Sequence, residues 1–139
     1  MKTYIADASV ILKWVLPMDD EPNSDLALQL RDDAIARRVL LKVPSLWLYE
    51  VGNTVCRLLP KQSQKILSML SDLNLTESPP TAAWLKKACE LTEKYTVTFY
   101  DAAYHALAFV EKGTLITADD KYLNKTIEAG HILALSKYS

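Results

Sequence analysis

The sequence predicts an α/β fold with a mainly parallel sheet of four to five strands, formed by one domain over residues 1–139. Two observations support this prediction. Short apolar runs alternate along the chain with amphipathic stretches that are long enough to form helices. The runs at residues 40–43 and 115–117 also lack a regular apolar–polar alternation, which is typical of parallel strands covered on both faces.

The first elements are a strand at residues 2–7 and a short helix at residues 9–16 that Pro17 ends. After an acidic loop, Ser24 is expected to cap a second helix, because serine accepts a hydrogen bond from a free backbone N–H at a helix start. Apolar residues recur every four positions in this helix, which predicts one inner face. That face comprises Leu26, Leu30 and Ala34.

The middle of the chain begins with an apolar run at residues 39–43, which predicts a buried strand. Pro44 is expected to open a helix that continues to about residue 59. A second helix is predicted at residues 61–73, and residues 73–77 alternate like a short strand. This part of the chain therefore supplies two strands and two helices.

Pro79 and Pro80 predict the start of a further helix, since proline is tolerated in the first turn. Its inner face is formed by Trp84, Ala88, Leu91 and Tyr95. Residues 96–100 are β-prone but too short to assign to a strand or a loop. The remaining predicted elements are a helix at 101–112 closed by Gly113, a strand at 114–118, a helix at 119–129 closed by Gly130 and a strand at 131–135.

The composition limits the classes of partner and compartment. The net charge is −1, so a nucleic acid would have to be held by a local patch, a bound cation or a second subunit. Cys56 and Cys89 fit no metal-binding or redox spacing and are expected to be buried, reduced thiols. The N-terminus does not resemble a signal peptide, and no apolar run approaches the roughly 20 residues that span a membrane. These features predict a cytoplasmic protein.

Four acidic residues stand where a parallel sheet would bring them together. Asp7 and Asp119 follow predicted strands, and Asp101 begins a predicted helix. Glu50 lies inside the helix after Pro44, on a stripe with Asn53. Each has a structural alternative, because aspartate caps helix starts and a glutamate stripe can be a solvated helix face.

A metal ion would reconcile four converging carboxylates. Without a cation, such groups repel one another and some are forced to stay protonated. Oxygen-only ligands suit Mg²⁺ or Mn²⁺, whereas zinc sites usually contain histidine or cysteine. Sites of this kind hydrolyse phosphodiesters, because the cation acidifies water and neutralises charge on the phosphate. The chain contains no glycine-rich phosphate loop and no Gly-x-Ser-x-Gly motif.

Four blocks of the sequence resemble the PIN domain family, and within it the VapC-type toxins of bacterial and archaeal toxin–antitoxin pairs. The blocks occur in the family's order and extend over essentially the whole chain. They are Tyr4-Ile5-Ala6-Asp7-Ala8-Ser9-Val10 followed by Leu12-Lys13-Trp14, then Pro44-Ser45-Leu46 through Glu50-Val51-Gly52-Asn53, then Tyr100-Asp101-Ala102-Ala103-Tyr104 with Ala106-Leu107-Ala108, and finally Leu115-Ile116-Thr117-Ala118-Asp119.

The resemblance implies a three-layer α/β/α sandwich and a metal-dependent endoribonuclease, expected to leave 5′-phosphate and 3′-hydroxyl ends. Asp7, Glu50, Asp101 and Asp119 would be catalytic residues and ligands of one or two Mg²⁺ or Mn²⁺ ions. The implied partners are an RNA substrate, a cognate antitoxin and a second copy of the chain. Supporting or substrate-contacting roles are assigned to Ser9, Asn53, Thr117, Asp120 and Lys121.

Several alternatives stay open at this stage. The protein could process RNA without an antitoxin, or could be an inactive binding module that keeps the PIN fold. A receiver domain is disfavoured because Asp7 is not followed by a second acid and no lysine ends the strand at 114–118. Lys121 and Lys125 either contact phosphates or form a solvated helix face, and His105 is interpreted as a structural histidine.

Overall fold

The computed structural model describes residues 1–139, except for the side chain of Met18. Its sheet has five strands in the order β3-β2-β1-β4-β5, and every neighbouring pair is parallel. The predicted parallel sheet is therefore confirmed. The strands are β1 (Thr3–Ala6), β2 (Leu40–Pro44), β3 (Thr76–Ser78), β4 (Thr114–Thr117) and β5 (Ile132–Ala134).

Seven α-helices connect and cover these strands within the described chain. They are α1 (Ala8–Leu12), α2 (Ser24–Ile35), α3 (Trp47–Leu58), α4 (Ser63–Asp72), α5 (Ala82–Tyr95), α6 (Phe99–Val110) and α7 (Asp120–Thr126). Right-handed crossovers put the helices between β1 and β3 on one face and those between β3 and β5 on the other. Contacts of α1 with α3, of α3 with α4 and of α5 with α6 agree with this three-layer α/β/α arrangement.

The core lies on both faces of the central strands. Ile5, Val43 and Ile116 are fully buried, because parallel strands at the centre of the sheet have no solvent-facing side. Helix α6 contacts β1, β2 and β4, and every one of its residues from 102 to 108 is buried. Alanines on this helix allow the backbone to approach the sheet, while α5 covers its outer face.

The strand order places a crevice at the carboxyl ends of β1 and β4. From β1 the chain moves outward through β2 and β3, and it then returns to the other side of β1 as β4. In open α/β sheets, ligands bind where the strand order reverses in this way. Asp7 follows β1 and Asp119 follows β4, so two of the predicted site residues lie at this position.

Three predicted helix starts and ends were wrong. Helix α1 ends at Leu12 and does not continue to Pro17. Ser24 is not the cap of α2, since the cap position is Asn23 and the Ser24 hydroxyl donates to the Glu21 carbonyl. Pro44 ends β2 and does not open α3, which begins at Trp47. Proline without a backbone donor is tolerated at a strand end as well as at a helix start.

Gly113 has a different role from the predicted helix cap. The left-handed residue at the end of α6 is Lys112, with φ of 55°. A Cβ on Gly113 would lie 2.6 Å from the Thr3 carbonyl oxygen, so glycine is required by the close approach of two backbones. At the end of the next helical segment, Gly130 does take a positive φ of 79°, as predicted.

Two further predictions are resolved by the structure. Residues 96–98 link α5 to α6 and form no strand, and Phe99 already belongs to α6. Cys56 and Cys89 lie on helices as expected, but both are exposed, so the prediction of buried thiols was wrong. None of the described helices combines the length and the apolar character needed to cross a lipid bilayer.

Candidate active site

Asp7 is held rigidly at the carboxyl end of β1. Its backbone N–H donates to the Ile116 carbonyl at 3.1 Å, which ties it to β4. Its Oδ2 accepts hydrogen bonds from the Ser9 backbone N–H at 3.2 Å and from the Ser9 hydroxyl at 2.6 Å. The Thr117 hydroxyl approaches the same oxygen at 3.4 Å. Asp7 therefore caps α1 with one oxygen, and among the described residues its Oδ1 has no hydrogen-bond partner.

Ser9 and Thr117 join the ends of the two strands. The Ser9 hydroxyl oxygen accepts from the Ala118 backbone N–H at 3.0 Å while its proton goes to Asp7. The Thr117 hydroxyl oxygen accepts from the Asp119 backbone N–H at 3.0 Å. These two small hydroxyl side chains fix the position of Asp7 relative to the loop that carries Asp119.

Asp119 begins α7 in the way that Asp7 begins α1. Its Oδ1 accepts from the Tyr122 backbone N–H at 3.0 Å, so it is the N-cap of that helix. The capping interpretation is thus correct for Asp7 and Asp119, and both still lie at the same edge of the sheet. A cap uses one carboxylate oxygen, and the second oxygen remains free for other work.

Asp101 does not act as a cap. Helix α6 is capped by Thr98, whose hydroxyl oxygen accepts from the Asp101 backbone N–H at 3.1 Å. Among the described residues, no donor meets the geometry of a hydrogen bond to the Asp101 carboxylate, although the neighbouring Thr98 hydroxyl lowers the pKa of this carboxyl. A half-buried carboxylate without a structural partner is unusual, because buried charge is normally paired or hydrogen-bonded. Its position therefore suggests a ligand rather than a stabilising contact.

Glu50 points inward from the first turn of α3. Its Oε2 is buried and has no hydrogen-bond partner. Among the described residues, one other buried side-chain atom shares this condition. An unsatisfied buried polar group costs about 1–3 kcal/mol, and more when it is charged. Asn53, on the same predicted stripe, is exposed. The solvated-face interpretation therefore fits Asn53 but not Glu50.

The four acids influence one another electrostatically. The pKa of Asp7 is raised to about 6, mainly by burial and to a smaller extent by the charges of Asp101 and Asp119, against the lowering effect of the hydrogen bonds from Ser9. Burial and then the charges of Asp7 and Asp101 raise the pKa of Glu50 to about 7. The pKa of Asp101 is also raised, first by burial and then by Asp119. The charges thus link Glu50 with Asp7 and Asp101, and these two with Asp119, so side chains from four separate elements form one electrostatically coupled cluster.

This site has the donor chemistry of a hard divalent cation. All of its candidate ligands are oxygens, one is an orphaned buried carboxylate oxygen, and three have raised pKa values that a cation would lower. In the described residues, no group of three or more His, Cys, Asp or Glu side chains already encloses a metal position. The acids therefore fit such an ion by the chemistry of their ligand atoms, while their present positions do not surround one point.

A cavity of about 150 Å³ opens beside Asp101 and Asp119. Lys121 and Lys125 also line it, together with the loop at residues 96–98. Three larger surface hollows, of about 410, 460 and 490 Å³, lie elsewhere, and none is lined by the four acids. Size does not identify the functional site here, because Asp101 and Asp119 line the smallest of these four hollows, while Asp7 and Glu50 line none of them.

Two candidate residues lie apart from this arrangement. Asn53 and Asp120 are exposed, and within the described residues neither is hydrogen-bonded to the four acids. His105 is fully buried: its Nε2–H donates to the Gly130 carbonyl and its Nδ1 faces the Tyr122 hydroxyl, both at 2.8 Å. Burial lowers the pKa of His105, which keeps it neutral, as its structural interpretation requires.

Sequence reasoning missed Thr98, Tyr104 and Tyr122. Thr98 caps the helix that carries Asp101, and Tyr122 supplies the N–H that Asp119 accepts. A Thr three residues before an acid is a detectable capping signal, since the cap accepts from the N–H three positions on. Tyr104 is fully buried beside the acids, and the spacing Asp101–Tyr104 places both on one helix face.

Known structures share this fold. A toxin–antitoxin complex from Klebsiella pneumoniae matches with a TM-score of 0.69 and 14% identity, over 95% of this chain and 97% of that chain. VapBC2 from Rickettsia felis, bound to a promoter DNA fragment, matches with a TM-score of 0.68 and 15% identity, over 95% and 96%. VapBC-1 from nontypeable Haemophilus influenzae matches with a TM-score of 0.67 and 13% identity, over 97% of this chain and 99% of that chain.

At these identities the likeness shows the fold alone. A comparison with curated protein sequences finds no significant match. The profile of the PIN domain family, in contrast, matches residues 4–127 and includes all four acids. Because this match extends over most of the length of the chain, the chain belongs to the PIN domain family.

Proposed function

We propose that residues 1–139 form one catalytic unit, a metal-dependent endoribonuclease that acts as the toxin of a toxin–antitoxin pair in the cytoplasm. Membership of a family of nucleases supports the reaction class. The observation that carries the proposal is the electrostatic coupling of four carboxylates from four different elements, namely Asp7, Glu50, Asp101 and Asp119, which offer only oxygen ligands.

The proposed cation is Mg²⁺ or Mn²⁺, held by these four carboxylates. When bound, it would supply the positive charge that acidifies the attacking water and stabilises the transition state. Ser9 and Thr117 keep Asp7 in place through its Oδ2, which leaves Oδ1 for the ion. Asp101 contributes a half-buried carboxylate that caps no helix, and Glu50 orients the water.

Lys121 and Lys125 would contact the phosphates of the substrate. Both line the cavity next to Asp101 and Asp119, so positive charge lies beside the acidic site although the chain as a whole carries −1. A lysine in this position balances the charge of a phosphate that flanks the cleaved bond. Because the two lysines supply little positive surface, a second copy of the chain is proposed to extend the RNA-binding surface.

A cognate antitoxin is the proposed protein partner. This part of the proposal is supported by the similar structures, which are a toxin–antitoxin complex and two VapBC proteins. We expect a neighbouring gene to encode a small DNA-binding protein. That protein should bind this chain and suppress the cleavage of RNA by this chain. Absence of such a neighbour would favour an RNA-processing nuclease that works without an antitoxin.

The decisive experiment incubates the purified chain with total cellular RNA, in Mn²⁺ or in chelator, and sequences newly formed 5′-phosphate ends. Asp101→Asn is the matched inactive variant, because its side chain supports no helix cap. New ends that need both the cation and Asp101 are expected, and their sequences identify the RNA target. If a folded protein free of antitoxin forms no new ends, the nuclease proposal fails in favour of an inactive binding module.

A further inference from the structure

Tyr104 is a buried polar residue with no role in the reaction proposed above. It lies on α6, three residues after Asp101, and its side chain is fully buried. Its hydroxyl makes no hydrogen bond. In the described residues it shares this property with one other buried side-chain atom, Oε2 of Glu50.

These two orphaned atoms belong to the same acidic site. Burial raises the pKa of Tyr104, and the next contributions come from the negative charges of Glu50, Asp7 and Asp101. The hydroxyl therefore lies within electrostatic reach of three of the four acids, and Glu50 has the largest effect among them. The two unsatisfied polar atoms, one on α3 and one on α6, thus belong to side chains of the same charged cluster.

Other buried tyrosines do not share this condition. The Tyr122 hydroxyl bonds to His105 Nδ1, and the Tyr138 hydroxyl donates to the Asp33 carboxylate. Buried hydroxyl groups in proteins normally find such partners, and an orphan calls for an explanation. The exception at Tyr104 therefore points to a group that binds between its hydroxyl and Glu50.

A single water molecule between the two atoms would satisfy both. A phenol donates one hydrogen bond and a carboxylate oxygen accepts one, so a water can accept from the first and donate to the second. Buried waters occupy polar sites that offer them two to four such partners. The remaining hydrogen-bonding capacity of this water would face the acidic pocket, where Asp7 and Asp101 lie.

We propose that Tyr104 is a positioning residue that holds a water molecule in the acidic site. The Tyr104 hydroxyl donates a hydrogen bond to this water, and the water donates one to the Glu50 carboxylate. The inference rests on the proposed nuclease function, because it assigns this water as the one presented to the phosphodiester. Tyr104 touches neither the substrate nor the cation. It acts on the reaction by fixing where the water stands.

Tyr104→Phe tests this role with the loss of one oxygen atom. At saturating Mn²⁺, kcat for RNA cleavage is expected to fall roughly 10–100-fold, as for the removal of groups that orient a metal site's ligands. KM is expected to change less than about threefold, because the hydroxyl makes no substrate contact. The thermal midpoint of the metal-free protein should change little, because the variant loses one hydrogen bond to a water and also no longer buries the hydroxyl group.

Tyr138→Phe is the matched control. It removes the same atom from a buried tyrosine whose hydroxyl is bonded to Asp33, on the C-terminal segment. Its thermal midpoint should fall while its kcat stays at the wild-type value. The opposite pattern in the two variants separates a positioning hydroxyl from a structural one. Wild-type kcat in Tyr104→Phe would overturn the inference.

A crystal structure at high resolution gives a readout independent of activity. The wild type should contain a water within hydrogen-bond distance of both the Tyr104 hydroxyl and the Glu50 carboxylate, and Tyr104→Phe should lack it. No such water in the wild type overturns the inference even if the enzyme is active. If the water is present but the wild type cleaves no RNA, the proposed nuclease function fails while the water site stands.

Discussion

Replacement of Asp7 by asparagine is expected to abolish cleavage and, at the same time, to make the metal-free protein more stable. Asp7 is 9% exposed, and its carboxylate is kept among other acids. Asparagine caps helices as well as aspartate does, and its side-chain oxygen can accept from the Ser9 N–H and hydroxyl. The substitution therefore removes the charge and keeps the cap.

The size of the effect follows from the pKa of Asp7, which rises from 3.8 to about 6 on folding. A carboxyl with a raised pKa in the folded state destabilises the fold above that pKa, and the cost disappears as pH falls below the unfolded value. One pKa unit corresponds to about 1.4 kcal/mol. Asp7 thus costs about 3 kcal/mol at pH 8 and about 0.5 kcal/mol at pH 4.

The assay is urea unfolding of the metal-free wild type and Asp7→Asn at pH 8 and pH 4. The variant should be more stable by about 3 kcal/mol at pH 8, with most of this gain lost at pH 4. Asp120→Asn is the matched control, because Asp120 is exposed in the first turn of α7. Loss of its interaction with the helix dipole should lower stability by less than about 1 kcal/mol.

The reasoning is refuted if Asp7→Asn is less stable than the wild type at pH 8, or if its gain does not depend on pH. Either result would mean that the hydrogen bonds from Ser9 outweigh the burial of the charge. Saturating Mn²⁺ should reverse the order, because an ion that binds the folded wild type more tightly stabilises it more.

Three further predictions concern the support of the site, the packing of the fold and the binding of substrate. Ser9→Ala removes the hydroxyl between Asp7 and the Ala118 N–H, so kcat should fall roughly 10–100-fold at saturating metal; an unchanged kcat would contradict its supporting role. Gly113→Ala should cost about 1–3 kcal/mol in urea unfolding without changing kcat per folded molecule, because the new Cβ meets the Thr3 carbonyl; unaltered stability would refute the close approach. Lys121→Ala with Lys125→Ala should raise KM and reduce the salt dependence of RNA binding by about one to two phosphate contacts, and equal salt slopes would exclude both lysines from the substrate path.

The sequence was most informative where a motif coincides with a strand end. Asp7 and Asp119 follow apolar runs that are buried in the structure, and parallel strands bring such ends to one edge of the sheet. The strand order confirms that expectation. Apolar runs with β-branched residues and capping acids are local signals, so a single sequence contains them in full.

Signals that depend on tertiary contacts could not be read in the same way. Gly113 looked like a helix stop, and its actual constraint is the carbonyl of Thr3 on a neighbouring strand. Cys56 and Cys89 were expected to be buried from their helical, partly apolar surroundings, but the helix faces that carry them point outward. Which face of a helix is covered depends on neighbours that are distant in sequence.

Sequence reasoning missed Tyr104 because its polar hydroxyl belongs to a residue that a helical pattern classes as apolar. Tyr104 falls among alanines and a leucine on a helix, where an aromatic residue predicts core packing. Its ring is indeed in the core. Only the structure shows that its hydroxyl has no partner and that the second such atom lies on Glu50, whose charge acts on the Tyr104 hydroxyl.

The central claim is that the four carboxylates bind a divalent cation, and calorimetric titration of Mn²⁺ tests it most directly. Wild type, Asp101→Asn and Asp120→Asn would be titrated at pH 8, where the acids with raised pKa values are ionised. The account predicts saturable binding that is at least about 10-fold weaker in Asp101→Asn and unchanged in Asp120→Asn. Equal affinity in all three proteins, or no binding to the wild type, would contradict it.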